Sequence, residues 1–329
     1  MYFKDIVGHE DIIRHFRSSI EQNKVGHAYI ISGEVDSGKK MLANAFAATL
    51  QCEGGETEPC GGCKSCIKVS TGNHPDIITV THEKPGIISV DEVREQVLDS
   101  ICVKPYESKY KIFIIPDAHL LNQQAQNALL KTIEEPPEYG IIILLTANLD
   151  KMLETVLSRC IVLNTKPIRE RDMLGYLMKN MNLTEEKAYF CLDFAQGNLG
   201  KAIKLAGNGE YVQVIDSVVS VLKKIQNLDV DDLADALAHI QQFKMSINDY
   251  MDLMMMWYRD VLMLKVTGNI DKLLFKGEYS TMRKQAQVLS YKAIEDKIEA
   301  IARAKKRLDV NANFDITIEL LLLTLKENF

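Results

Sequence analysis

The stretch His27-Ala28-Tyr29-Ile30-Ile31-Ser32-Gly33-Glu34-Val35-Asp36-Ser37-Gly38-Lys39-Lys40 decides the fold. Residues 27–32 are a short, strand-prone apolar run ended by Gly33, and residues 41–51 are Ala-rich and helix-prone. Between them, Gly33, Gly38 and Lys39 meet every fixed position of G-x-x-x-x-G-K-[ST] except the last. Strand before and helix after are the context in which such glycines let backbone N–H groups cradle phosphate oxygens while the lysine reaches the outer ones. The last position, where a hydroxyl ligates Mg²⁺, is Lys40, which brings positive charge and no oxygen. Gly33, Ser37, Gly38, Lys39 and Lys40 are therefore a nucleotide-binding set that is degenerate at its metal-binding end.

Outward from the loop, helical and strand patterns alternate. Residues 11–22 carry Ile12, Ile13, Phe16 and Ile20 at helical spacing, and 90–101 is amphipathic. Residues 122–135 form a helix stopped by Pro136 and Pro137. Runs at 76–80, 111–115 and 141–146 read as strands. Such alternation predicts a parallel sheet covered on both faces. After Pro167 only helical periods remain, with a break at Gly207-Asn208-Gly209. Met254-Met255-Met256-Trp257 reads as helix packing rather than a binding patch.

Phosphoryl transfer also needs a carboxylate at a neighbouring strand end to hold Mg²⁺. The stretch available is Ile114-Ile115-Pro116-Asp117-Ala118-His119. Against an I-D-E-x-H pattern, Pro116 takes the metal-binding position and Asp117, one methylene short, that of the glutamate. With two magnesium contacts missing, the expectation is a P-loop fold without catalysis of its own.

Cys52, Cys60, Cys63 and Cys66 lie within fifteen residues as C-x7-C-x2-C-x2-C. Two-residue gaps turn successive thiolates onto one ion, and four of them satisfy tetrahedral Zn²⁺ with no open position, a structural site. Intervening Gly54, Gly55, Pro59, Gly61 and Gly62 describe a tight knuckle. Cys102, Cys160 and Cys191 lack such company and read as buried small hydrophobes.

Composition bounds the rest. A chain of 329 residues is about two domains' worth at on the order of 150 residues each. Its 39 basic and 45 acidic side chains leave a formal charge of −6, which excludes a surface that grips DNA all over. No apolar signal segment opens the sequence, and no stretch is long and apolar enough for a membrane span, so a cytoplasmic protein is expected. The run Arg303, Lys305, Lys306, Arg307 reads as one solvated helix face.

The P-loop, the four-cysteine knuckle after its helix, Asn127-Ala128-Leu129-Leu130-Lys131-Thr132-Ile133-Glu134-Glu135-Pro136-Pro137 and Ser158-Arg159-Cys160 occur here in one order. In that combination the chain resembles the bacterial clamp-loader subunits of DNA polymerase III, an AAA+ family. The similarity covers nearly the whole chain, taking in His27-Ala28-Tyr29, Gly72-Asn73-His74-Pro75-Asp76 and Arg307-Leu308-Asp309-Val310-Asn311-Ala312-Asn313. It implies an α/β P-loop (AAA+) domain with a parallel sheet over 1–166, with its knuckle at 52–66, an all-α lid at 167–208 and an all-α collar domain at 209–329.

Within the family, Lys40 and Pro116 favour the non-hydrolysing delta-prime branch over the tau/gamma motors, which keep both magnesium-binding motifs. Gly200 agrees, standing where a motor carries its sensor arginine, with Lys201 beside it. The resemblance implies that Arg159, next to Ser158, is an arginine finger projected in trans into the ATP site of an adjoining tau/gamma subunit. It implies tau/gamma and delta partners in a hetero-pentamer that meets the sliding clamp and primer-template DNA, structural Zn²⁺, and no turnover of ATP and Mg²⁺ at the chain's own site. On this view the chain is no enzyme by itself but a component of a DNA polymerase holoenzyme. Two alternatives stand beside it: an active motor using Asp117, and a zinc-dependent DNA-binding module built on the knuckle and the basic run.

Overall fold

Five short runs rich in Ile, Leu and Val pair side by side in one parallel sheet, β1 (Ala28–Ser32), β2 (Ile77–Thr79), β3 (Lys111–Ile115), β4 (Gly140–Thr146) and β5 (Ile161–Asn164), in the order β2-β3-β4-β1-β5. The computed structural model describes residues 2–82, 86–207, 209–227, 229–270, 273–310 and 312–327. It divides into two compact units, Met1–Ile203 and Lys204–Phe329.

In the first unit, the period of two along each strand sends alternate side chains to opposite layers. Ile30, Phe113, Ile115, Ile142 and Leu144 meet one layer, built from helices Gln123–Glu134 and Glu154–Leu157 and from the segment Val90–Val93, which continues through a π turn, Arg94–Leu98, into Asp99–Ile101. Tyr29, Ile31, Ile112, Ile114, Ile143 and Leu145 meet the other, helices Glu10–Glu21 and Lys39–Leu50. There Phe16 stacks on Phe46 with ring centroids 4.0 Å apart. Burial on both faces is why the central strands are apolar without alternation.

Register brings the strand ends level: Ser32 pairs with Thr146 on one side and with Asn164 on the other. In open parallel sheets, ligands are met outside these carboxyl ends. The strand β5 was not expected from the sequence. It has four residues, its two ends are exposed, and only pairing with β1 makes it a strand.

Helices Glu170–Asn180, Glu185–Ala195 and Leu199–Gly207 follow, and beyond Asn164 the described residues contain no strand. The expected break at Gly207-Asn208-Gly209 centres on Asn208, outside the described residues, as does Asn311 of the C-terminal motif. In the second unit, helix Ile247–Thr267 is the hub, burying Tyr250, Met254, Trp257, Tyr258 and Val261. Met254 and Trp257 are core as expected, whereas Met255 and Met256 are half-buried. Among the described residues no helix is long and apolar enough to cross a membrane.

Candidate functional site

The loop between β1 and helix Lys39–Leu50 leaves the sheet where Gly33 N–H donates to the Thr146 carbonyl at 3.1 Å. Gly38 starts the helix from a left-handed conformation, φ +87°, which a glycine adopts without steric cost. Ser37 is held from two sides: its carbonyl accepts from His9 Nε2 at 2.8 Å, and its hydroxyl accepts from Thr165 at 3.2 Å. Burial pushes His9 below the usual imidazole range, which keeps it neutral in this contact. The Lys39 ammonium donates to the Gly33 carbonyl at 2.7 Å and to that of Glu34. Burial lowers its pKa against the opposing charges of Asp117, Asp36 and Glu34. Lys40 is exposed.

At the end of β3, Pro116 is half-buried and offers no ligand oxygen. Asp117 is exposed at φ +48°, so the next carboxylate along the chain is displaced by one residue onto a left-handed turn. The polar residues ending β4 are used locally. Thr146 Oγ1 donates to the Asn148 carbonyl at 2.9 Å and accepts its N–H at 3.1 Å, while the Asn148 side chain accepts from Asp150 N–H at 2.8 Å.

Over the loop lies the start of helix Leu199–Gly207. Buried Asn198 donates to the Val35 carbonyl at 2.8 Å and to Glu34 at 3.3 Å, and Lys201 pairs with Glu34 at 3.8 Å. Gly200 abuts the loop so closely that a Cβ there would stand 2.3 Å from the Asp36 carbonyl oxygen. Neither His9 nor Asn198 carried a sequence signal of this role, since each meets the loop only through the fold.

Ser158 and Arg159 follow the helix Glu154–Leu157, both exposed, between Leu157 and Cys160, which pack against the core. Burial pushes the Cys160 thiol up to about 12, an inert anchor. Arg159 Nε meets the Glu134 carboxylate at 2.5 Å, and its NH1 donates to the Thr155 carbonyl and Ser158 Oγ, each at 3.1 Å.

The knuckle forms as the spacing predicts. The Sγ atoms of Cys52, Cys60, Cys63 and Cys66 all lie within 4.8 Å of one another, and a tetrahedral ion with metal–sulfur bonds near 2.3 Å needs edges of about 3.8 Å. Backbone N–H groups of Cys60, Cys63 and Cys66 point at the sulfurs of Cys52, Cys60 and Cys63 at 3.2–3.4 Å. Hydrogen bonds from Gly62 and Cys63 hold the Cys60 thiol down to about 6, while burial pushes that of Cys66 up to about 12. The four cysteines could hold one metal ion.

The segment after the knuckle is a clamp that the sequence did not disclose. Fully buried Asp76 accepts backbone N–H groups of Tyr106, Glu107 and Ser108 at 2.6–3.1 Å, and His74 Nε2 reaches Ser65 Oγ at 3.1 Å on helix Lys64–Ser70. Cys191 is buried and Cys160 half-buried, but Cys102 is exposed, contrary to expectation, because it ends the helical segment on its solvent side. In the basic run, Lys305 pairs with Asp252 and Arg303 with Glu299 at 3.6 Å, leaving Lys306 and Arg307 on the solvated face.

Residues 8–169 match a family model described as DNA polymerase III, delta subunit. The chain is 29% identical over 318 residues to DNA polymerase III subunit delta-prime of Bacillus subtilis, covering 94% of each. It is 27% identical over 329 residues to DNA polymerase III subunit tau of the same organism, covering 93% of this chain but 58% of that relative's length. A solved structure of a DNA polymerase III gamma-subunit-related protein from Thermotoga maritima aligns over 97% of this chain and 99% of that one, at 18% identity and a TM-score of 0.45. With its P-loop on a parallel sheet, the chain matches the DNA polymerase III delta-subunit family model over residues 8–169 and is similar across nearly its full length to DNA polymerase III subunit delta-prime.

Proposed function

We propose that the chain is the delta-prime-type subunit of a clamp loader, a scaffold that does not hydrolyse ATP itself and that lends Arg159 to the ATP site of an adjacent tau/gamma subunit. The observation that carries this reading is Pro116 at the end of β3, where a motor needs a carboxylate for Mg²⁺. Lys40 supports it from the loop, again a position with no oxygen ligand. An exposed guanidinium with its base clamped suits delivery in trans, where such a group stabilises charge developing on the γ-phosphate and is worth about 10³–10⁵ in rate. Residues 1–166, 167–208 and 209–329 are then AAA+ domain, lid and collar, in a hetero-pentamer with tau/gamma and delta that acts on the sliding clamp at primed DNA. Zn²⁺ on Cys52, Cys60, Cys63 and Cys66 fixes the knuckle without taking part in chemistry.

Steady-state ATPase tests this, first with the chain alone and then with a complex reconstituted from tau/gamma, delta, clamp and primed DNA. The expected result is no turnover alone and an Arg159→Ala complex that loses the turnover of one site. Turnover by the isolated chain that Lys39→Ala abolishes would make it a motor and sink the proposal.

A further inference from the structure

Glu134 is the last residue of a twelve-residue helix, Gln123–Glu134. The next residue, Glu135, leaves the helical region at φ −123°, ψ +63°, as a residue before proline does. A carboxylate at this end faces the negative pole of the helix and the unpaired carbonyls there, so helix energetics disfavour it. Its charge is answered from outside the helix, by Arg159 Nε at 2.5 Å. Both side chains are close to half exposed, 40% for the arginine and 46% for the glutamate, and pairs of that kind add little to stability. What the pair does is geometric. A guanidinium is a rigid plane with five N–H donors. Here Glu134 makes an ion pair at Nε and NH1 donates to the Thr155 carbonyl and Ser158 Oγ, while NH2 has no hydrogen bond among the described residues.

Resting on the reading of Arg159 as a finger, we infer that Glu134 is a positioning residue for it. By fixing the Nε edge, it presents the NH2 edge to the anionic oxygen of the neighbouring subunit's nucleotide and removes rotamer freedom that engagement would otherwise have to quench.

The test is the ATPase of the reconstituted complex carrying wild type, Glu134→Ala, Glu134→Gln, Arg159→Ala or the Glu134→Ala/Arg159→Ala pair. Glu134→Ala is expected to lower the kcat of the Arg159-dependent turnover about tenfold with KM for ATP unchanged, because the contact is realised only as charge develops. Gln keeps the shape and an oxygen beside Nε but not the charge of the ion pair, and recovers part of that rate. The double variant is no slower than Arg159→Ala, since a group acting through another has nothing left to act on. The isolated Glu134→Ala chain melts at the wild-type temperature. A Glu134→Ala complex as fast as wild type or faster, with Arg159→Ala slow, overturns the inference and leaves the finger standing. Losses that multiply in the double variant overturn it too, as does a raised KM at unchanged kcat. Wild-type turnover by Arg159→Ala overturns the finger reading and this inference with it.

Discussion

At Gly200 a methyl group has no room: the Asp36 carbonyl oxygen would lie 2.3 Å and the Asp36 Cβ 2.7 Å from it. The obstacle is largely backbone, so rotamer changes cannot relieve it. Gly200→Ala is expected to cost about 1–3 kcal/mol by overpacking, or else to lift the helix start from the loop, breaking the Asn198–Val35 hydrogen bond. Urea denaturation followed by far-UV circular dichroism reads the first outcome, and amide exchange at residues 34–38 the second. A variant unchanged in both would mean that the contact is not made in solution. The letters of the P-loop were legible at this scale because Gly38 and Lys39 act within one turn of chain. The Glu134–Arg159 pair was not, since it joins residues 25 positions apart whose meeting depends on helix Gln123–Glu134 and helix Glu154–Leu157 packing together.

Among the elements, the knuckle is the one whose order, on the proposed zinc reading, depends most on a bound ion. Residues 52–66 contain one short helical turn beginning at Lys64, and their apolar burial is confined to a few positions, so without metal little holds the sulfurs together. Anchors at its margins remain: Glu58 accepts from Phe3 N–H at 3.1 Å and pairs with Arg17, and Ser65 meets His74. Treatment with a strong chelator is therefore expected to release about one equivalent of zinc per chain and to lower the thermal midpoint without unfolding the sheet. Metal analysis and circular dichroism before and after treatment check this, with Cys63→Ser binding less than the wild-type equivalent. An unchanged midpoint and no metal would reduce the cluster to packed thiols. The cysteine spacing announced this element, whereas β5 stayed hidden because an edge strand of four residues has too short a pattern to distinguish from a loop.

For the whole molecule, two units with separate cores allow each to be followed by its own probe. The chain has one tryptophan, Trp257, fully buried in the second unit, so its fluorescence reports that unit's unfolding. Its Nε1–H donates to Gln285 Oε1 at 2.8 Å, and Gln285 Nε2 donates to the Leu222 carbonyl at 2.9 Å. Gln285→Ala leaves both buried groups unpaired and is expected to destabilise the unit by about 2–4 kcal/mol, read as a lower urea midpoint of the fluorescence change at unaltered slope. The sequence by itself determined the layered α/β first half, the helical second half, the degenerate loop and the metal-ligating spacing. Each rests on local periodicity or on residues close together in the chain, where covalent connection does the positioning. Only the tertiary structure decided that His9 and Asn198 grip the loop, that Asp76 clamps residues 106–108 and that Glu134 holds Arg159. Those contacts are made between distant segments, and a side chain capable of a hydrogen bond does not declare its partner until packing has brought the two within reach.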